Sequence, residues 1–234
     1  MSRTLAITGT GTELGKTFVT ALLARQLRAH GDRVTAAKPV SSGCEPDAEG
    51  RLWSPDGRVL AEAAGYDPDD WTMHQHLSLE RFQEPISPHL AAAHAGRILN
   101  LRMLTGFCQS LEPETGGYVL AEGIGGVMTP LTENATNLDW LLELDWPVVL
   151  VAGTYLGALS HTLTALRCLQ QAEAPLAGLV LNRSPEEEEP VAAEELRRTL
   201  HFFHPEVPMV TVPRAESGEA MPDLVTALGV EATA

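Results

Sequence analysis

The sequence predicts an α/β fold, a doubly wound and mostly parallel sheet with helices on both faces. Short β-rich apolar runs alternate with amphipathic stretches of helical period along the whole chain. Polar and glycine-rich stretches gather where the predicted strands end: Gly9 to Thr17, Lys38, Glu122, Tyr155 and Asn182. Sheets of this kind bind ligands at the carboxyl ends of their strands. A run such as Val148-Val149-Leu150-Val151 also suits a strand covered on both faces.

The elements follow in order. Thr4 to Thr8 reads as the first strand and is followed by a glycine-rich turn. A helix from about Lys16 to Ala29 carries Val19, Leu22, Leu23 and Leu27 at helical spacing, and Gly31 stands where a helix terminates. Arg33 to Lys38 is a second strand, expected to lie beside the first. Pro39 to Pro88 is irregular and polar. It is too long for an ordinary connection, so it is expected to be functional or to carry short helices of its own. An alanine-rich helix starts at Ser87-Pro88 and runs to about His94, and a longer one spans Leu99 to about Leu111. Tyr118 to Ala121 is a buried strand ending at Glu122-Gly123. Asn137 to Leu144 is helical, Pro147 to Ala152 is a core strand, and a helix covers about Leu159 to Gln171. Leu176 to Leu181 is a strand ending at Asn182. The charge run Glu186 to Glu189 opens a helix through Leu200, its acids favoured by the helix dipole. Val207 to Val212 is the last strand and Met221 to Leu228 the last helix. No repeat or linker interrupts the pattern, so residues 1–234 are expected to form one domain.

Composition narrows the function. Against 31 Asp and Glu stand 16 Lys and Arg, for a formal net charge of −15. That balance argues against nucleic acid or an anionic membrane as partner, since both need clustered cations. A small anion remains possible, because a few local donors hold a phosphate. Three cysteines without a CxxC pair, no apolar run of membrane length and no signal-peptide pattern after Met1 point to the cytoplasm.

Gly9-Thr10-Gly11-Thr12-Glu13-Leu14-Gly15-Lys16-Thr17 joins the first strand to the first helix. This is the setting of a P-loop, where backbone N–H groups and a helix N-terminus cradle phosphates. The first glycine sits one position earlier than the plain pattern demands. Lys16 is expected to pair with the outer phosphates and Thr17 to offer its hydroxyl to Mg²⁺. Partition-type regulatory ATPases, the alternative reading, carry a signature lysine early in this loop, where this chain has Gly11. A nucleotide-binding module without catalysis is opposed by the presence of Lys16, Thr17, Lys38 and Glu122 together.

Lys16 and Lys38 are the only lysines in the chain, and both stand at strand ends. Lys38 begins Lys38-Pro39-Val40-Ser41-Ser42-Gly43, which offers a cation and hydroxyls together; such a cation stabilises a developing oxyanion in phosphoryl transfer. Asp56, in Ser54-Pro55-Asp56-Gly57, is by itself a turn aspartate. Glu122 ends a buried strand ahead of Gly123-Ile124-Gly125-Gly126, which suits a metal and a close phosphate. Asn182 is either a capping side chain or an amide that reads a base. His74-x-His76 and His201-x-x-His204 lack a completing cysteine or carboxylate spacing, so neither reads as a zinc site.

Together these motifs resemble the dethiobiotin synthetase family. The phosphate loop with its offset, Lys38 to Gly43, Glu84-Pro85-Ile86-Ser87-Pro88-His89, Glu122 to Gly126 and Asn182 match in order and spacing, from Thr4 to about Leu228. The resemblance implies a P-loop fold and a homodimer that joins CO₂ to 7,8-diaminopelargonate and closes a cyclic urea, using ATP and Mg²⁺. It implies phosphate binding by Lys16 and metal binding by Thr17, Asp56 and Glu122. Lys38 becomes the active-site lysine and Ser42 a substrate contact. Thr12 and Glu13 lie over substrate and nucleotide, and Leu14, Gly15, Gly123, Ile124 and Gly125 line the nucleotide. Asn182, Arg183, Pro213, Arg214 and Ala215 contact the adenine side, with Glu216 or Glu219 the late contact and Glu216 preferred. Leu156, Gly157 and Ala158, from the neighbouring subunit, take the substrate carboxylate at a helix N-terminus. Tyr155 stands there where some relatives have Lys, which leaves backbone N–H groups and hydroxyls for that anion.

Overall fold

The computed structural model describes residues 2–111, 117–184, 192–214 and 219–230. Strand β1 (Ser2–Gly9) leads through the glycine-rich turn into α1 (Lys16–Ala29), and β2 (Val34–Ala37) follows. The segment from Pro39 to Pro88 holds β3 (Val40–Ser41), β4 (Glu45–Pro46), β5 (Leu52–Trp53), α2 (Pro55–Ala64), α3 (Trp71–Leu77) and β6 (Glu80–Arg81). After it come α4 (Pro88–His94), α5 (Leu101–Ser110), β7 (Gly117–Glu122), α6 (Asn137–Leu144) and β8 (Val148–Ala152). The last described elements are α7 (Ala158–Gln171), β9 (Leu176–Asn182), α8 (Ala193–Phe203), β10 (Met209–Val212) and α9 (Leu224–Ala227).

The main sheet has the order β10-β9-β8-β1-β7-β2, and every pair in it is parallel. Alternate residues of a strand face opposite sides. Leu5, Ile7, Leu120, Val149 and Val151 accordingly pack against α1, α2 and α9. Ala6, Ala121, Val148 and Leu150 pack against α4 to α8. Both faces are covered, as the apolar strands predicted. No helix among the described residues is long and apolar enough to cross a membrane.

Several expectations need correction. The second strand is not beside the first: β7 lies between β1 and β2, with Ile7 opposite Glu122 and Ala37 opposite Ala121. The short helices expected within Pro39 to Pro88 are present, with Ser54 capping α2 and Asp70 capping α3 through their side chains. Strand β10 starts at Met209 because Pro208 has no N–H for the ladder and offers only its carbonyl, to the Leu179 N–H at 2.8 Å. Helix α9 is shorter than expected: Pro222 disfavours helical backbone at Met221, and the Asp223 carboxylate caps a single turn. The charge run Glu186 to Glu189 lies outside the described residues, and α8 extends past Leu200 to Phe203.

Candidate active site

The phosphate loop closes tightly on α1. Gly15 is the N-cap residue with φ 81°, in the left-handed region that glycine tolerates. A Cβ there would also stand 2.2 Å from Asn182 Nδ2. Asn182, the last residue of β9, donates from Nδ2 to the Leu14 carbonyl at 3.0 Å. Its amide thus braces the loop from the end of β9. Lys16 is buried and donates from Nζ to the Gly11 carbonyl at 2.7 Å. Thr12 and Glu13 are exposed at the loop's crest, with Glu13 held at φ 59°.

The second wall is the loop after β7. Val127 N–H donates to the Gly9 carbonyl at 3.0 Å, and a Cβ on Gly126 would meet Thr10 O at 3.1 Å. Glycine here allows two backbones to approach. Asn137, which the sequence marks only as the start of a helix, braces this loop. Its buried side chain donates from Nδ2 to the Ile124 carbonyl and to the Gly126 carbonyl, the latter at 2.8 Å. Nothing in the local sequence separates such a brace from a helix-start residue.

Charge converges between these walls. Glu122 is fully buried, and the parallel register sets it between β1, which leads to the phosphate loop, and the end of β2. Its Oε1 accepts from Thr17 Oγ1 at 2.8 Å and from Lys38 Nζ at 2.9 Å. Lys38 Nζ also pairs with Asp56, which α2 presents from its first turn. Glu122 Oε2 is buried and has no hydrogen-bond partner among the described residues. The structure therefore brings Lys16, Thr17, Lys38, Asp56 and Glu122 into one cluster.

Burial pushes the Lys16 ammonium down to about 8, and the neighbouring Lys38 adds to the fall against the pull of Glu122 and Asp56. Burial also opposes charge on Lys38. Glu122 and Asp56 outweigh it and hold that ammonium above the ordinary lysine range. Asp56 loses hydration too, yet Lys38 keeps its carboxyl below the usual range, so it is ionised.

The remaining predicted residues stand further out. Ser42 is half-buried after β3, and among the described residues no hydrogen bond or ion pair joins it to the cluster. Leu156 is 81% exposed, Gly157 is the N-cap of α7 at φ 97°, and Ala158 is buried. Tyr155 and His161 share a 2.7 Å hydrogen bond at that helix start. A cleft of about 450 Å³ separates Thr10 to Thr12 from His161, Thr164 and Cys168 of α7. On the far side Arg183 pairs with Glu219 at 3.3 Å, and its N–H donates to the Val212 carbonyl at 3.0 Å, ahead of Pro213 and Arg214. Ala215 and Glu216 lie outside the described residues.

A glycine loop closed on a helix N-terminus, a buried lysine and a helix-start hydroxyl bonded to the carboxylate that ends the adjacent strand define a P-loop nucleotide-binding protein. Residues 3–217 match a family model described as an AAA domain. An ATP-dependent dethiobiotin synthetase BioD from Caulobacter vibrioides is 39% identical over 222 residues, covering 93% of this chain and 95% of that protein. Its counterpart from Methylobacterium nodulans is 45% identical over 184 residues, 78% of this chain and 81% of that one. The chain belongs to the dethiobiotin synthetase family. A ParA family ATPase from Chlorobium tepidum superposes with a TM-score of 0.53 over 92% of this chain and 85% of its own, at 14% identity, a likeness of fold alone.

Proposed function

We propose that this chain joins CO₂ to 7,8-diaminopelargonate (7,8-diaminononanoate) and closes the ring, giving dethiobiotin, ADP and phosphate at the expense of ATP. The observation that carries the reading is the second buried lysine: Lys38, tied to Glu122 and Asp56 beside the phosphate loop. A regulatory switch of the partition type is opposed by Gly11, which stands where that type carries its signature lysine.

The chemistry proceeds through three bonds. A substrate amine attacks CO₂ and loses a proton, giving a carbamate. A carbamate oxygen attacks the γ-phosphorus and ADP leaves, giving a carbamoyl phosphate. The second amine attacks the carbamoyl carbon and gives up a proton as phosphate leaves, and the urea ring is closed. Lys16 holds the outer phosphates, and the loop amides of Glu13 to Thr17 cradle them. Lys38, kept charged by two carboxylates, faces the oxygens that carry the transferred charge. Thr12 lies over the reacting groups.

Thr17, Asp56 and Glu122 would hold Mg²⁺. A hydroxyl and two carboxylates are hard oxygen donors, and Glu122 Oε2, buried with no partner among the described residues, supports the fit. When bound, the ion neutralises charge on the outer phosphates. Gly123 to Gly125, Asn182, Arg183, Pro213, Arg214, Ala215 and Glu216 complete the nucleotide side, and Ser42 meets the substrate. The enzyme is a cytoplasmic homodimer of single-domain subunits. Leu156, Gly157 and Ala158 of the neighbouring subunit take the substrate carboxylate, which accounts for a leucine 81% exposed at a helix start.

ATP hydrolysis that depends on diaminopelargonate plus bicarbonate, with dethiobiotin as product, is the expected result. Hydrolysis at the same rate without both would favour the switch. For the dimer, mixing inactive Lys38→Ala with inactive Gly157→Val restores about a quarter of the activity, since half of randomly exchanged dimers hold one intact site. No recovery after confirmed exchange overturns the shared site.

A further inference from the structure

We propose that His74 is a positioning residue for Asp56: by accepting the Ser54 N–H it fixes the start of α2, and with it the place where Asp56 meets Lys38. The inference rests on the reading of Asp56 as a metal ligand and deepens it.

The connection is continuous. His74 Nε2 accepts the Ser54 N–H at 3.0 Å, and both residues are buried. Ser54 is the N-cap of α2. Its Oγ accepts the Gly57 N–H at 3.0 Å and donates to Ser41 Oγ at 2.9 Å, and its carbonyl accepts the Arg58 N–H at 3.1 Å. Every polar group of Ser54 is thereby engaged, and Asp56 follows within the first turn. The imidazole also lies against that turn: a Cβ on Gly57 would stand 2.9 Å from His74 Cε1. Trp53 and Trp71 pack on the ring, with centroids 4.8 and 5.7 Å away.

Helix α3 reaches the other partner as well. Leu77, one turn after His74, accepts the Lys38 N–H through its carbonyl at 2.9 Å. One short helix thus holds the backbone of Lys38 and the helix that carries Asp56. The acceptor role requires a neutral ring with its proton on Nδ1. Burial, followed by the positive charges of Arg81 and Arg58, pushes the imidazole down to about 4, so at neutral pH Nε2 carries no proton and accepts the Ser54 N–H.

The test uses His74→Phe, which fills the space without an acceptor, and His74→Gln, which returns one near the Nε2 position. Gly57→Ala presses a methyl on the same ring. Calorimetry with an unreactive ATP analogue, with and without Mg²⁺, reads how much the metal tightens binding. His74→Phe is expected to reduce that tightening about tenfold, the loss typical when a ligand's supporting partner is removed. Gly57→Ala reduces it less, and His74→Gln restores most of it. The double variant His74→Phe with Asp56→Asn should bind like Asp56→Asn alone, because both act through one carboxylate. If His74→Phe lowers the Tm yet keeps the full Mg²⁺ effect while Asp56→Asn loses it, the positioning role is wrong. Should His74→Phe not fold, a full Mg²⁺ effect in Gly57→Ala overturns the role equally. If Asp56→Asn itself keeps the effect, the ligand reading fails first and this inference with it.

Discussion

The phosphate loop and the segment from Pro39 to Pro88 bring charge to the same point by different routes. Gly9 to Thr17 lies directly between β1 and α1, so Lys16 and Thr17 are placed by the turn that contains them. Asp56 arrives from a helix held by Ser54, His74 and Ser41, residues of three separate elements. Lys38 depends on both, standing at the end of β2 with its backbone N–H on α3. Local geometry shapes the first region, with Asn182 bracing it from β9, whereas the second holds its carboxylate only as well as its tertiary contacts do.

The largest effect is expected at Lys38, where the two regions meet. Lys38→Met should keep ATP affinity and lose most of kcat, about 2–4 kcal/mol of transition-state stabilisation. It should also lower the Tm, because it leaves the buried Glu122 unpaired, a change that typically costs about 3–5 kcal/mol. Lys38→Arg should rescue poorly, since a larger planar fork does not replace a compact point charge at a crowded, buried site. Calorimetry beside turnover checks all three. Normal turnover of Lys38→Met would remove it from the chemistry.

Next come Lys16→Ala and Thr17→Ala, expected to cost about a hundredfold or more in kcat with the fold intact by circular dichroism. Near wild-type rates in both would sink the phosphate-loop assignment and with it the local half of the comparison.

Glu122→Gln and Asp56→Asn separate the regions by degree. Both should raise the Mg²⁺ needed for activity, Glu122→Gln more strongly. Glu122 is fully buried and shared by Thr17 and Lys38, whereas the Asp56 side chain is 45% exposed. A Mg²⁺ titration that ranks them the other way would make the peripheral region the stronger metal holder.

The smallest effect is a proton. Lys16 titrates near 8 in the free protein, and bound phosphate favours its charged form. Above about pH 8 the free site is partly deprotonated and the bound site is not, so ATP binding takes up protons. Calorimetry at pH 9 in buffers of different ionisation enthalpy should show this uptake, and its disappearance at pH 6.5.

Much of this architecture is legible in the chain. The glycine loop, the strand-terminal Glu122 and the alternation of β1, α1, β7, β8 and β9 with helices follow from patterns within about a dozen residues, the range over which turn chemistry and side-chain period act. The segment around Asp56 is not legible in the same way. Pro55-Asp56-Gly57 reads as a turn, yet Ser54 makes it a helix start, and in sequence His74 resembles half of a metal pair. Asn182 resembles an end cap in sequence, while its amide donates to the Leu14 carbonyl 168 residues away.

By itself the sequence determined the fold class, the phosphate loop and the short list of charged residues, because those are set by local backbone preference and hydrophobic period. Only the tertiary structure decided that β7 enters between β1 and β2. Strand order comes from hydrogen bonds between segments distant in sequence, to which no local pattern commits the chain. That insertion puts Glu122 where it meets Thr17 on one side and Lys38 on the other, and packing of α2 against α3 supplies Asp56.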